Sequence, residues 1–500
     1  MKIQIRKTLS LLLAACLMFW MVPLIAMAAN VSGYAALQAV CSASGSGDVT
    51  LAGDINGVTP LTIERDLTLD LNGHNLTIDL PEEIGQNFDG MIINTGVTLT
   101  VTDSNPGANS LTVTNWAYLA KAESVNGAGI NAAGGTLIIQ NGAVNATGGM
   151  GAAGIRGNGG NIIINGGDIA ATGGIGDMFP LGDNRFTIFG SGAGISGYGG
   201  SVAINGGTVT ARGGGANGGG PGINGDGGSV FISGGTVTAI GGKGGIRSGA
   251  GISGYGGSVT ISGGMVAAIG GESGYICGAG IENYNGNTII TGGVVTAKGG
   301  NLAAGIGGGC GQDGGVTNIS GGTVEAIAGG GDSSAIGRGG LAPGTLIIVE
   351  PGKEIVGEHK KDGTVNITGE YDHFLCNTTN SVTGAAGGIG IFTWSNTYKY
   401  IKLAEGFSLD GIEVNGGVTV TLFRELKSGE TLIAAAYKGN KLIFTNSEPV
   451  FDNGKYIFNM DLSQADRVKV MAWGDFNTLQ PLCPSLTKIR SGDGWADAPI

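Results

Sequence analysis

Residues 127–340 repeat one pattern, and that pattern limits the folds open to the chain more than any other feature. Residues 192–214 read GAGISGYGGSVAINGGTVTARGG, and 220–242 read GPGINGDGGSVFISGGTVTAIGG. The stretches 249–271 and 278–300 read GAGISGYGGSVTISGGMVAAIGG and GAGIENYNGNTIITGGVVTAKGG. Each copy carries one marker isoleucine. The markers Ile130, Ile155, Ile195, Ile223, Ile252, Ile281, Ile306 and Ile336 lie 25, 40, 28, 29, 29, 25 and 30 residues apart. A steady period of this size belongs to solenoids and propellers.

Within a copy the apolar residues alternate. Val202, Ile204, Val209 and Ala211 recur as Val230, Ile232, Val237 and Ala239, and again as Val259, Ile261, Val266 and Ala268. A period of two means strands with one buried face. Paired glycines such as Gly206–Gly207 separate the two strands of each copy, so a hairpin and hence a propeller blade is the competing reading. A four-stranded blade needs about 40 residues, more than these copies contain. One copy alone also has too little apolar surface to bury a face. Stacking equivalent residues on successive coils solves this by building continuous Ile, Val and Ala ladders, with glycine at the corners. Glycine makes up 103 of the 500 residues without a Gly-X-Y period, which excludes collagen, and the apolar alternation excludes a flexible linker. The expected fold is all-β, a right-handed parallel β-helix followed by a small C-terminal β-sandwich.

These repeats resemble the GAGIGG…GGTVTI repeats of secreted and cell-surface proteins of clostridia and related Firmicutes. Upstream, 67–74 (LTLDLNGH) and 96–104 (GVTLTVTDS) resemble the opening of pectate-lyase-like β-helices. The resemblance covers about residues 48–350. It implies architecture rather than activity, because such folds host lyases, hydrolases, adhesins and inert spacers.

The two ends read differently. Lys2, Arg6 and Lys7, the apolar run 9–25 and Ala26-Met27-Ala28 form the three parts of a secretory signal peptide. The run is also long enough to span a bilayer as an uncleaved anchor, and Leu13-Ala14-Ala15-Cys16 matches a lipoprotein box. Lipidation at Cys16 would leave a second apolar run directly behind the modified residue, so cleavage after Ala28 is the expectation. No later segment has the apolarity of a membrane span. From Val418 onward, VTVTL, TLIAAAY, KLIFTN, KYIFNM and RVKVMAW suggest five strands in a small sandwich. Lys469, Val470, Trp473, Pro481, Leu482 and Cys483 resemble the ending of a module common on clostridial surface proteins, with Trp473 as a core anchor. The expected organisation is a signal at 1–28, a strand-rich cap and first coils at 29–126, and the repeat β-helix at 127–350. A last irregular coil and linker follow at 351–411, then the sandwich at 412–490.

Losing the signal removes three basic residues and moves the formal net charge from −12 to −15, which gives nucleic acid no electrostatic footprint. Cys41, Cys277, Cys310, Cys376 and Cys483 are too few and irregular for a disulfide framework. His74, His359 and His373 lack zinc-ligand spacing with any cysteine, so no metal site is expected.

Two places could bind. The 40-residue spacing contains an insertion at 175–189, IGDMFPLGDNRFTIF, which brings Phe179 and Phe186 together with Asp177, Asp183 and Arg185. Insertions in a solenoid emerge as surface loops. The phenylalanines could stack on sugar faces, or simply pin the loop to the coil. Three residues beyond successive markers stand Asn158, Tyr198, Asp226, Tyr255 and Tyr284. Stacking would place them in one file about 4.8 Å apart, suited to carbohydrate or protein contact, or serving only to stiffen the corner. For catalysis the candidates are Asp168, Asp177, Asp183 and Arg185. The other arginines (156, 212, 247, 338) and acids (226, 272, 282, 313) occupy no single column. The expected role is non-catalytic recognition of extracellular polysaccharide or host glycan, or adhesion, by a secreted or surface-associated protein without a cofactor. The alternatives are a polysaccharide lyase or glycosidase, the lyase using Ca²⁺ as the resemblance implies, and a passive spacer.

Overall fold

The computed structural model describes residues 28–497 apart from 46, 82–87, 117–126, 177, 183–184, 189, 274–275, 341–346, 351–352, 356–360, 369, 405–408, 415–416, 423–425, 427–429, 453–454, 474–484 and 493. In this part of the chain three strand columns wind as a parallel β-helix. The first column holds the markers: ten short strands run from Leu61–Ile63 and Met91–Ile93 through Ile130–Asn131 to Ile336–Gly337. Each marker isoleucine from Ile130 to Ile336 pairs in parallel with the next, and all are fully buried.

The second column includes Leu67–Asp70, Thr98–Thr102, Thr136–Ile139, Ser201–Ile204 and Ser229–Ile232, and the third includes Leu76–Leu80, Ser110–Asn115 and Thr208–Arg212. Every Gly-Gly break is therefore a corner between columns. The two strands of a copy pair with the coils above and below, Val202 with Val230 and Val209 with Val237, and the hairpin reading fails. Alternation does the sorting: in Ser201–Ile204, Val202 and Ile204 are buried while Ser201 and Ala203 keep partial exposure. In two coils a strand runs through the corner (Asn287–Lys298 and Val316–Ile327), so the second and third columns join into one hydrogen-bonded sheet.

Both ends of the helix are covered, which protects strand edges that would otherwise template further pairing. At the start, the helix Tyr34–Cys41 buries Leu37 and Cys41 on the first coil. At the other end, Thr364–Ile367 adds a final parallel strand on Val316–Ile327. The polarity then reverses, with Tyr400–Ala404 antiparallel to Val316–Ile327 and Glu370–Asn377 antiparallel to Tyr400–Ala404. Trp394 donates its indole N–H to the carbonyl of Ile336 at 3.1 Å, satisfying the last marker strand.

The C-terminal residues form a small β-sandwich. One antiparallel sheet contains Leu409–Val414, Val418–Leu422, Lys455–Phe458 and Val450–Asp452. The other contains Lys441–Asn446, Thr431–Lys438, Arg467–Trp473, Leu486–Ser491 and Gly494–Asp497. They share a core of Val418, Val420, Leu432, Ala434, Phe458, Val468 and Val470. Of the motif read at this end, Pro481, Leu482 and Cys483 lie outside the described residues. No helix among the described residues is long and apolar enough to cross a membrane.

Candidate functional site

The corner between the marker strand and the second strand is a tight turn in every central coil. The carbonyl of the first turn residue accepts the N–H of the fourth at Gly157–Gly160, Gly197–Gly200, Gly225–Gly228, Gly254–Gly257 and Asn283–Gly286, all at 2.8–3.0 Å. Asn158, Tyr198, Asp226, Tyr255 and Tyr284 hold the second position. Coil-to-coil hydrogen bonds tie them into one file: Gly159 N–H to the Tyr198 carbonyl, Gly199 to Asp226 and Gly227 to Tyr255, at 2.9–3.0 Å.

Asn158–Gly159, Tyr198–Gly199 and Asp226–Gly227 have positive φ at both central residues (50° and 81°, 43° and 78°, 44° and 76°), the signature of a type I′ turn. Asn-Gly and Asp-Gly are the natural occupants of that turn. A tyrosine there is strained, because its Cβ crowds the backbone in the left-handed region. Tyr198 nevertheless leaves its side chain in solvent, at 55% relative exposure. Tyr255 is 49% exposed, and its ring stacks on that of Tyr284 with centroids 6.0 Å apart and planes inclined by 28°. The file thus forms a ridge with two exposed tyrosines, Tyr198 and Tyr255, Asp226 half-buried between them and Tyr284 half-buried beside Tyr255.

A second feature lies around the opposite corner. The residue after each marker points away from the core, giving the column Asn131, Arg156, Ser196, Asn224, Ser253 and Glu282. This outer face is not open: Asn131, Ser196 and Ser253 are buried. Beside it, connections from the third strand back to the marker strand stack as a narrow parallel ribbon of Ala216–Gly218, Gly244–Arg247 and the bridge residue Ile276. Serines hold the ribbon down. Ser248 Oγ donates to the Gly271 carbonyl at 2.7 Å and accepts from Gly278 N–H at 3.1 Å.

Between ribbon and sheet lies a cavity of about 470 Å³ lined by Arg247, Glu282, Gln312, Ile246, Ile276 and Pro221 among others. The packed protein around the Glu282 carboxyl raises its pKa. Hydrogen bonds from Gln312 and Ser253 and the charge of Arg247 oppose that shift. The Gln312 amide is oriented from behind, its Oε1 accepting the Gly309 N–H at 2.9 Å. Arg247 is exposed, with no carboxylate within 4 Å among the described residues. The cavity also touches Cys277, whose carbonyl accepts the Cys310 N–H at 2.8 Å. Cys41, Cys277, Cys310 and Cys376 are buried, and burial pushes the Cys310 thiol up to about 11.

No family model, curated protein or solved structure matches this chain.

The insertion forms a two-stranded antiparallel hairpin, Met178–Gly182 with Arg185–Ile188. Asp177 and Asp183 lie outside the described residues, as do the side chains of Phe179, Arg185 and Phe186. Asp168 lies elsewhere, exposed on a third-column strand beside a cavity of about 360 Å³ that also touches Asp103. Asp103 is committed to structure, accepting the Gly73 N–H at 2.9 Å. Among the described residues no three His, Cys, Asp or Glu side chains are grouped to hold a metal ion.

The Arg247–Glu282–Gln312 group escapes a reading of the sequence because its members come from three successive coils and different positions in the repeat. One signal was visible. Glu282 is the one acid in the paired column Thr62, Ile92, Asn131, Arg156, Ser196, Asn224, Ser253, Glu282, Gly307 and Gly337.

Proposed function

We propose that this chain is an exported or surface-displayed protein that recognises extracellular polysaccharide or host glycan without transforming it, the ridge Tyr198–Asp226–Tyr255–Tyr284 making the contact. The observation that carries this reading is the conformation of Tyr198. A left-handed φ costs a bulky residue about 1 kcal/mol, and an exposed ring regains little of that through burial. Asparagine would fold better at that position, so the tyrosine is better explained by what it touches outside the protein. Tyrosine suits a sugar: its face packs against ring C–H groups and its hydroxyl bonds to theirs. The signal-like residues 1–28 and the resemblance to clostridial and pectate-lyase-like secreted proteins support an extracellular setting for the same role.

The test is retention of the protein on a broad polysaccharide panel, with and without Ca²⁺, while new reducing or unsaturated chain ends are recorded. The expected result is retention without products, lost in the triple variant Tyr198→Ala/Tyr255→Ala/Tyr284→Ala. Full retention by that variant rejects the ridge. Release of chain ends replaces this reading with a lyase or glycosidase, and neither retention nor products leaves a spacer.

A further inference from the structure

We infer that the cavity between the loop ribbon and the marker sheet is a separate subsite for one sugar residue, taken end-on through a vicinal pair of hydroxyls. Three residues whose side chains end in planar, two-pronged hydrogen-bonding groups line it, Arg247, Glu282 and Gln312, and the Gln312 amide and the Arg247 charge both act on the Glu282 carboxyl. Two adjacent hydroxyls of a pyranose match such groups, each oxygen donating to a carboxylate or accepting from an amide or guanidinium. Ile246, Ile276 and Pro221 supply the apolar surface that a sugar ring's C–H face needs. At about 470 Å³ the space falls within the usual range of small-ligand pockets, roughly 300–1,000 Å³, and is far too small for a polymer running through.

The polar groups are prearranged. Gly309 holds the Gln312 amide by its oxygen, so the NH₂ end serves Glu282 and the cavity. Ser253, buried behind, supports the same carboxyl. Glu282 lines the cavity and keeps part of its surface accessible, although burial raises its pKa. A carboxyl kept in such surroundings without an ion-pair partner within 4 Å among the described residues is an expensive way to fill space. Arg247 stands exposed at the rim, placed to engage a ligand on entry.

This inference rests on the carbohydrate reading proposed for the ridge but uses none of its residues, so the two can fail separately. The experiment titrates the full chain with the methyl glycosides of glucose, galactose and mannose, followed by saturation-transfer NMR and calorimetry. Arg247→Ala, Gln312→Ala and the ridge triple variant are titrated in parallel, with circular dichroism confirming the fold. At least one glycoside should bind, with affinity reduced tenfold or more by Arg247→Ala and by Gln312→Ala and unchanged by the ridge variant. Binding of no glycoside, or binding indifferent to Arg247 and Gln312, overturns the subsite. Polymer retention through the ridge without glycoside binding would sink this inference alone. Glycoside binding without polymer retention would sink the ridge alone.

Discussion

Asp89 and Arg156, 67 residues apart in the chain, meet on the outer face of the marker sheet with Arg156 Nη2 3.2 Å from Asp89 Oδ1. The same carboxylate accepts the Asn131 amide at 2.7 Å and the Ala128 N–H at 2.6 Å. It therefore ties the N-terminal coils to the first glycine-rich ones. Both side chains are mostly buried, at 21% and 14% relative exposure for Arg156 and Asp89. Removing one partner strands the other charge. Asp89→Ala is expected to cost about 3 kcal/mol in urea unfolding, and Asp89→Asn less because it can still accept hydrogen bonds. An Asp89→Ala chain within 0.5 kcal/mol of the parent would show that water serves Arg156 equally well.

The marker isoleucines make a second prediction. Ile223 is fully buried between Ile195 and Ile252, its partners on the neighbouring coils. Ile223→Ala should cost about 3 kcal/mol, through lost transfer energy and a cavity that a stacked coil cannot collapse. A solenoid's stability is a sum of nearest-neighbour terms. Hydrogen exchange should therefore accelerate in the coils around Ile195, Ile223 and Ile252 while the sandwich strand Arg467–Trp473 stays protected. Uniform acceleration across the whole chain would contradict that locality.

The coil architecture was legible because it is written at two periods at once. The alternation of Val202, Ile204, Val209 and Ala211 marks buried faces, and the spacing of the markers sets the coil. The turn file was legible for the same reason, since a fixed offset from the marker becomes a fixed place on the surface. Its strain was not, because the φ of Tyr198 depends on how the coils stack rather than on its neighbours in sequence. The ribbon of Ala216–Gly218 and Gly244–Arg247 has no apolar alternation to betray it, being held by backbone and serine hydrogen bonds. The cavity beneath it was hidden in turn. The capping helix Tyr34–Cys41 begins at Gly33 without a side-chain cap and spans only eight residues, so it carries little helical signal of its own.

Glu282 gives the chain a pH-dependent weakness with a definite sign. Its pKa in the folded protein is raised above the ordinary 4.5, chiefly by burial, so the folded state favours the neutral acid. That preference stabilises the fold fully below about 4.5 and is lost as pH rises through the raised value. Glu282→Gln mimics the neutral acid permanently. Its melting temperature should exceed the parent's at pH 7, and the two should converge at pH 4 and below. A parent that is the more stable at pH 7 would mean that Arg247 and Gln312 stabilise the carboxylate more than burial opposes it.

Tyr198 separates stability from recognition most cleanly. Tyr198→Asn places the preferred residue before Gly199 in a type I′ turn, relieving the strain of a φ of 43° and giving up a ring that is more exposed than buried. The variant should be more stable than the parent by about 1 kcal/mol, while its retention on polysaccharide falls. Tyr255→Asn is the control. Tyr255 has no left-handed φ to relieve and stacks on Tyr284, so its replacement should weaken binding with no gain in stability. If Tyr198→Asn gains stability and keeps full retention, the strain at this corner is an accident of the repeat. If it loses stability, the tyrosine is packed into the fold more firmly than its exposure indicates, and its left-handed φ no longer points to an external ligand.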